Sequence, residues 1–263
     1  MDGKDLTICK LGGSVITFKD KPLTPNIKAI TGLAKALFKF DGKLVIIHGG
    51  GSFGHYMASR FGLGQSPAKT SPEAVAMTRY SMLELHLTVL RIFLDAGLTV
   101  YSVPLSGMMN QRLPSRQKME ALVNYTDTGL IPMTFGDVIV SRTGSYIVSG
   151  DQIARLLSKH LRPRRVLFVL DVDGIYQDPE KTTLLRELKI AKTTNLIFSK
   201  GKIDVTGGIE RKVKEASRIA NMGIDVSFVN GLVPQRLLDA AQGKNPIGTV
   251  LKGRKVAPLS NSR

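Results

Sequence analysis

His48-Gly49-Gly50-Gly51-Ser52-Phe53-Gly54-His55, reached at the end of the apolar run Leu44-Val45-Ile46-Ile47, is the stretch on which the reading of this chain turns. Three consecutive glycines after a buried-type strand present backbone N–H groups with no side chain in the way, which suits a phosphate oxygen. The same glycines also make a plain turn, so a second feature is needed. It stands at Lys10-Leu11-Gly12-Gly13-Ser14, which follows another strand-like run, Leu6-Thr7-Ile8-Cys9. Two strand ends thus each deliver a glycine nest, one of them with a cation, and the pair suggests two phosphate-bearing ligands placed face to face.

The segment between the nests supports that geometry. Val15 to Pro22 reads as a polar, proline-ended loop, and Asn26 to Phe40 carries Ile27, Ile30, Leu33, Ala34, Leu37 and Phe38 at helical spacing before Asp41-Gly42. Strand, helix and strand joined by a right-handed crossover are parallel, which puts both nests at the same carboxyl edge of a sheet.

Further along, Ser71-Pro72-Glu73 opens a long helix that stops at Asp95-Ala96-Gly97. Its apolar content, including Val75, Met77, Met82, Leu83, Leu85, Leu87, Val89 and Phe93, leaves little polar surface, so most of it is expected in the core. Val75, Met82 and Leu83 equally suit the wall of an apolar ligand pocket. Strands are predicted over Leu98–Val103 and Leu130–Thr134, with a short helix over Lys118–Val123 between them. A hairpin is predicted from Asp137 to Val148. Ser149-Gly150-Asp151 then opens a helix through Leu161, where Asp151 is either a cap or an anion-site residue. Val166–Leu170 has the continuous apolar character of a parallel strand and ends in Asp171-Val172-Asp173-Gly174. Asp204-Val205-Thr206-Gly207-Gly208 leads into a helix that carries Lys212 in its first turns, a surface lysine or a site lysine. Asp225–Val229 and Gly248–Leu251 complete the strands, and a division of the chain near Ala154 is soft.

Composition bounds the function classes. With 263 residues, 43% hydrophobic and 22% charged, the chain holds one large α/β domain or two modest ones. It lacks the run of about 18 apolar residues that a membrane span needs, and Asp2, Lys4 and Asp5 interrupt any signal-peptide core. A cytoplasmic location with no membrane partner is therefore expected. The single Cys9 excludes intrachain disulfides, and no Cys/His cluster has zinc spacing. The net charge of +16 raises nucleic-acid binding as a reading. Yet the basic residues are dispersed, and the densest cluster, Lys159 to Arg165, suits a helix end. Aromatics make up only 6% of residues and Trp is absent, so no base-stacking pattern exists and no nucleic-acid partner is expected.

Taken together, KLGGSVITFK, HGGGSFGH, FGDVIV followed by SGDQI, DVDGIY and DVTGGIERK stand in the order found in the amino acid kinase superfamily. The ending of the second motif at His55, with Lys19 in the first, is similar to the isopentenyl phosphate kinases within it. The resemblance runs from Lys10 to Lys212 and on to the closing GTVL. It implies an α/β fold, a three-layer αβα sandwich with a mainly parallel central sheet, and one domain whose acceptor half (about 1–153) precedes a nucleotide half (about 154–263). It also implies ATP-dependent phosphorylation of isopentenyl phosphate in isoprenoid biosynthesis.

Carried over residue by residue, the resemblance implies that Lys10, Leu11, Gly12, Gly13 and Ser14 hold ATP phosphates, and that Gly49, Gly50 and Gly51 lie between the two phosphate groups. Gly54, His55 and Gly150 fall to the acceptor, with Val75, Met82 and Leu83 beside its tail. Asp151 organises the lysines, Asp171, Asp173 and Gly174 form the nucleotide-side loop, and Gly208 and Lys212 reach ATP. Lys10, Lys19, His55, Asp151 and Lys212 make up the implied catalytic set. ATP and Mg²⁺ are the implied cofactors, with no dedicated protein metal ligands, and a homodimer is expected. The competing readings are a kinase of another small phosphate or phosphonate acceptor, such as a nucleoside monophosphate or fosfomycin, and a non-catalytic nucleotide sensor.

Overall fold

The computed structural model describes residues 5–61, 71–104, 106, 109–110, 113–142, 144–178, 180–189 and 207–254. Its strands are β1 (Leu6–Leu11), β2 (Lys43–His48), β3 (Val100–Ser102), β4 (Met109–Asn110), β5 (Leu113–Pro114), β6 (Ile131–Phe135), β7 (Asp137–Ser141), β8 (Gly144–Val148), β9 (Arg165–Leu170), β10 (Glu187–Leu188), β11 (Asp225–Asn230) and β12 (Gly248–Leu251). Its helices are α1 (Gly13–Ile16), α2 (Ile27–Leu37), α3 (Gly51–Arg60), α4 (Pro72–Asp95), α5 (Arg116–Asp127), α6 (Gly150–Leu161), α7 (Gly207–Ala220) and α8 (Pro234–Ala241).

Eight strands form one sheet in the order β10-β12-β11-β9-β1-β2-β6-β3, parallel throughout except where β12 runs against β11. The alternation of β1 builds a core on each face. Leu6 and Ile8 pack with α5, α6 and α7, whereas Cys9 and Leu11 pack with α1, α2, α4 and α8. The expected three-layer αβα sandwich is therefore the fold, and β2 and β9 carry the continuous apolar runs Leu44–Ile47 and Val166–Leu170 because both of their faces are covered. No described helix is long and apolar enough to cross a membrane.

β1 lies between β2 and β9, with Lys10 in register with Ile47 on one side and Phe168 on the other. The chain thus leaves β1 toward opposite edges in its first and second halves, a topological switch that opens a crevice at the carboxyl ends of the three strands. Both nests and the loop after β9 lie there.

Several elements differ from the sequence expectation. The start of the expected loop after KLGGS is the helical turn α1, whose Val15 and Ile16 are fully buried. The glycine stretch becomes the N-terminus of α3, and α8 and the short β10 appear where no element is predicted. The helix expected over Lys118–Val123 extends to the twelve residues of α5. On α4 the core face is made by Ala74, Thr78, Ser81, Met82, Leu85, His86, Val89 and Phe93, while Met77, Leu87 and Leu94 are exposed. The expectation that its apolar residues are mostly core holds, since Val75, Leu90 and Ile92 also pack against the core clusters, and the exposed three follow because a single helix offers only one face to the sheet. Asp204, Val205 and Thr206 lie outside the described residues.

Candidate active site

The two glycine nests are in direct backbone contact. A Cβ added to Gly13 would collide with the nitrogen of Gly51, and one on Gly49 would stand 2.9 Å from the nitrogen of Gly13. Glycine is therefore required by the approach itself, and at Gly51 also by a left-handed φ of 47°. The Leu11 carbonyl accepts the Gly49 N–H at 2.9 Å, and Gly12 N–H reaches Val169 O at 2.9 Å, so the three strand ends are tied together. Leu11, an expected ATP contact, places its side chain wholly in the core and contributes this backbone link.

A residue that sequence reasoning missed joins the nests. Thr17 Oγ1 donates to Gly13 O at 2.8 Å and accepts from Ser52 N–H at 2.9 Å. It stands inside KLGGSVITFK, but nothing in that string marks it as a link, since its two partners come from different nests.

Gly150 opens α6 against this backbone. Ser149 and Gln152 form a reciprocal capping box, leaving Asp151 free for another role. A Cβ on Gly150 would stand 3.1 Å from Lys10 Cε and 3.2 Å from His48 O, so a side chain there would press on both. One turn of helix aims the Asp151 carboxylate at the cations. Lys10 Nζ lies 2.5 Å from Asp151 Oδ1, and Lys212 Nζ lies 3.6 Å from Asp151 Oδ2. Burial works to raise the Asp151 pKa, but the charges and hydrogen bonds of Lys10 and Lys212 outweigh it and hold the carboxyl below its usual range. Lys212 is itself pushed down, by burial first and then by the Lys10 charge, with Asp151 opposing. Two cations sharing one anion leave a net positive charge beside the glycine nests.

Lys19 and Asp171 form a second pair at 2.7 Å, and Ser14 Oγ donates to the same carboxylate at 2.8 Å. Burial again opposes and these partners prevail, so Asp171 is also held low. The two pairs differ in exposure: the Lys19 side chain is 69% exposed, against 4% for Lys10. Lys19 thus belongs to the rim beside Asp171. Asp171 stands close enough to Lys212 to raise its pKa, which links the pairs electrostatically.

His55 projects from the second turn of α3 at the solvent edge. Partial burial lowers its pKa first, and the charges of Lys212, Lys10 and Arg211 add to that while Asp151 opposes them. The resting imidazole is neutral at pH 7 and lies among these cations. Asp173 takes a different place from Asp171, accepting from Asn230 at 2.8 Å and pairing with Arg236. Gly174, at φ 156°, packs on Thr249. Lys212 Nζ also reaches Gly208 O at 3.3 Å, and a Cβ on Gly208 would meet open space.

Of the three expected tail residues, Met82 is the one that touches the nest. Its sulfur would stand 2.9 Å from a Cβ on Gly50 and 3.1 Å from one on Gly54. Val75 packs in a separate small cluster with Ala74, Val138, Ala58 and Phe61, and Leu83 is half-buried on α4. Arg79, between Val75 and Met82, pairs with the buried Asp137 and stacks over Phe135, which locks α4 to the hairpin of β7 and β8.

The amino acid kinase family model matches residues 5–230. The isopentenyl phosphate kinase of Thermoplasma acidophilum is 36% identical over 94% of this chain and its own full length. That of Methanothermobacter thermautotrophicus is 29% identical over 95% of this chain and likewise its full length. The crystal structure of the T. acidophilum isopentenyl phosphate kinase product complex superposes with a TM-score of 0.78 at 30% identity, covering 94% of this chain and 100% of that one. Glycine nests in contact, a carboxylate shared by two lysines, and full-length likeness to these relatives place the chain in the amino acid kinase family, among its isopentenyl phosphate kinases.

Proposed function

We propose that the chain transfers the γ-phosphoryl group of ATP to isopentenyl phosphate, giving isopentenyl diphosphate and ADP in isoprenoid biosynthesis in the cytoplasm. The observation that carries this reading is the Lys10–Asp151–Lys212 cluster at the contact of two glycine nests. A transferring phosphoryl group spreads negative charge over its equatorial oxygens, and fixed cations and N–H donors stabilise that charge.

In this reading Gly12, Gly13 and Ser14 receive ATP phosphates, with Lys212 reaching the transferred group and Lys10 bridging donor and acceptor. Asp171, Asp173, Gly174 and Gly208 bound the nucleotide side, so nucleotide contacts concentrate in the second half of the chain and acceptor contacts in the first. The acceptor phosphate lies against Gly49, Gly50, Gly51, Gly54 and Gly150, with His55 donating an N–H. One acceptor oxygen forms the new bond to the γ-phosphorus as the bond to the β,γ-bridging oxygen breaks, and ADP leaves with that electron pair. No general base is needed, because a phosphate monoester, with a second pKa of about 6, is already ionised. Asp151 is not free to act as one, since two lysines hold it ionised and oriented.

Mg²⁺ fits this site as a companion of the nucleotide phosphates, where it screens their charge. Among the described residues no group of three His, Cys, Asp or Glu could hold a metal, and Asp151 and Asp171 are engaged by lysines. Met77, Tyr80, Leu87 and Leu94 form an exposed apolar stripe along α4. We assign that stripe to pairing with a second copy of the chain; light scattering should give twice the 28.6 kDa mass, and Leu87→Glu should halve it.

ATP consumption should be measured with isopentenyl phosphate, dimethylallyl phosphate, longer prenyl phosphates, uridine monophosphate and fosfomycin. Turnover led by the five-carbon phosphates is expected. Turnover of uridine monophosphate or fosfomycin without that of isopentenyl phosphate would replace this acceptor, and no turnover of any would favour a nucleotide sensor.

A further inference from the structure

On the face of β2 opposite Lys10 lies a second buried polar network, to which the proposed chemistry assigns nothing. His48, the residue before the glycines, sets Nδ1 3.0 Å from Gly49 O, and its Nε2 stands 3.0 Å from His86 Nδ1 on α4. His86 Nε2 in turn lies 2.7 Å from Ser102 Oγ at the end of β3. The two imidazoles stack at 5.2 Å and 18°, with Phe135 closing on both. Both rings are buried.

These contacts fix the direction of every proton. A carbonyl only accepts, so His48 Nδ1 carries hydrogen and, in a neutral ring, Nε2 is the lone-pair nitrogen. His86 Nδ1 must then donate to it, which leaves His86 Nε2 to accept the Ser102 hydroxyl. Burial keeps both rings neutral, as this arrangement needs, with His86 and Lys10 adding to it at His48 and Arg79 at His86.

The hydrogen-bond chain ends on the Gly49–Gly50 peptide, whose carbonyl oxygen it holds. Gly49 and Gly50 have no side chains, and the peptide between them is planar and trans, so its C=O and N–H point in opposite directions. Holding Gly49 O toward His48 turns Gly50 N–H the opposite way, at the N-cap position of α3. A flip of this peptide would aim a carbonyl oxygen at an incoming phosphate instead of a donor.

We propose that His48, His86 and Ser102 are positioning residues, a directional hydrogen-bond relay that holds the Gly49–Gly50 peptide in its phosphate-receiving orientation. The relay touches no substrate atom and acts through the backbone. Its kinetic consequence rests on the acceptor assignment above, but its proton arrangement does not.

Two measurements test it on the whole protein. Ring ¹⁵N shifts of ¹⁵N-histidine-labelled protein at pH 7 should show His48 and His86 both as neutral Nδ1–H tautomers. An Nε2–H tautomer or a protonated ring at either position overturns the relay whatever the activity. The second is kinetic: His86→Leu removes the relay, while His86→Gln keeps one N–H donor and one acceptor. The Leu variant should lose about tenfold or more in kcat for isopentenyl phosphate, the Gln variant about threefold or less, and the KM for ATP should stay within about twofold in both. Equal losses in the two variants, or a Leu variant as fast as the parent, overturn the relay. Should His86→Leu not fold, Ser102→Ala removes the terminal donor with little change in packing. It should lower kcat about threefold, and an unchanged kcat overturns the proposal. A parent with no kinase activity on isopentenyl phosphate sinks the acceptor assignment alone, leaving the tautomer result to stand or fall separately.

Discussion

Two buried polar networks flank the same glycine turn from opposite faces of the sheet, and they are built from opposite materials. On the face of α6 and α7, Lys10, Asp151 and Lys212 are ionised and carry a net positive charge. On the face of α4, His48, His86 and Ser102 are neutral and pass hydrogen bonds in one direction. Charge stands where polyanionic ligands are expected to enter, and neutrality where only the polypeptide must be held. A buried cation needs an anion to offset its desolvation, and in the proposed reaction a ligand phosphate would supply one. A buried backbone carbonyl needs only one donor, and a neutral imidazole provides it without bringing charge into the core.

The largest expected effect breaks the charged side. Lys10→Met leaves Asp151 with the more distant Lys212 alone, so stability should fall by about 3–5 kcal/mol, as for other broken buried pairs. The same variant should lose about 10²–10³ in kcat, the scale of one lost preorganised donor, and Lys212→Met should show the rate loss with a smaller stability loss. Chemical denaturation and steady-state kinetics together check both; a Lys10→Met enzyme of parental kcat would remove the cluster from the reaction.

Truncation beside the nest comes next. Met82→Ala should cost about 2–5 kcal/mol if the side chain is packing alone. If Met82 also closes the tail slot, ten- and fifteen-carbon prenyl phosphates should gain in kcat/KM, with about 0.8 kcal/mol for each added buried CH₂. Val75→Ala and Leu83→Ala run through the same two assays. Parental chain-length preference in all three would leave the tail site elsewhere.

His55→Ala should lower kcat by about tenfold or more, the loss of a hydrogen bond to a charged group worth about 1.5–3 kcal/mol, with ATP affinity little changed. His55→Gln should retain more activity, and equal activity in all three proteins would take His55 out of the site.

The neutral side should show itself through pH. His48 and His86 are lowered to about 3 and about 4, chiefly by burial, with His86 and then Lys10 adding to it at the first and Arg79 at the second. The unfolded chain, with histidine near about 6.5, binds more protons in between, so their stabilising contribution is complete above that value and declines as pH falls toward the folded values. From pH 7 to 5.5 the pair should remove about 2 kcal/mol of stability. Replacing both with Gln should flatten that slope; an equal slope in the double variant would mean that the rings are not held neutral.

The smallest effect is expected at Lys19, an exposed partner of Asp171. Lys19→Met should change unfolding by less than about 1 kcal/mol, as for exposed pairs. Its rate loss should be smaller than that of Lys212→Met, and the reverse order would move Lys19 from the rim to the transferred group.

How much of this was open to reading from the sequence depends on where the information lies along the chain. Glycine runs after apolar strands, the helical spacing of α2 and the cap at Ser149 are local patterns, and they located both nests, the parallel crossover and the start of α6. Asp151 and Lys212 were legible as residue types in known strings, but cap or site, surface or site, stayed open until the lysines were seen to converge on one carboxylate. Thr17 and His48 stood inside the quoted strings with no role attached to them, and His86 and Ser102 stood in none. Lys10 and Asp151 lie 141 positions apart and His86 lies 38 after His48, so their meeting is decided by which face of β1 and β2 each side chain takes and which helix covers it. The sequence by itself determined the alternation of strands, helices and glycine turns, because backbone preference and apolar periodicity act over a few residues. Only the tertiary structure decided which polar groups share a buried space, because desolvation forces a partner on each and the partner comes from wherever the packed layers bring it.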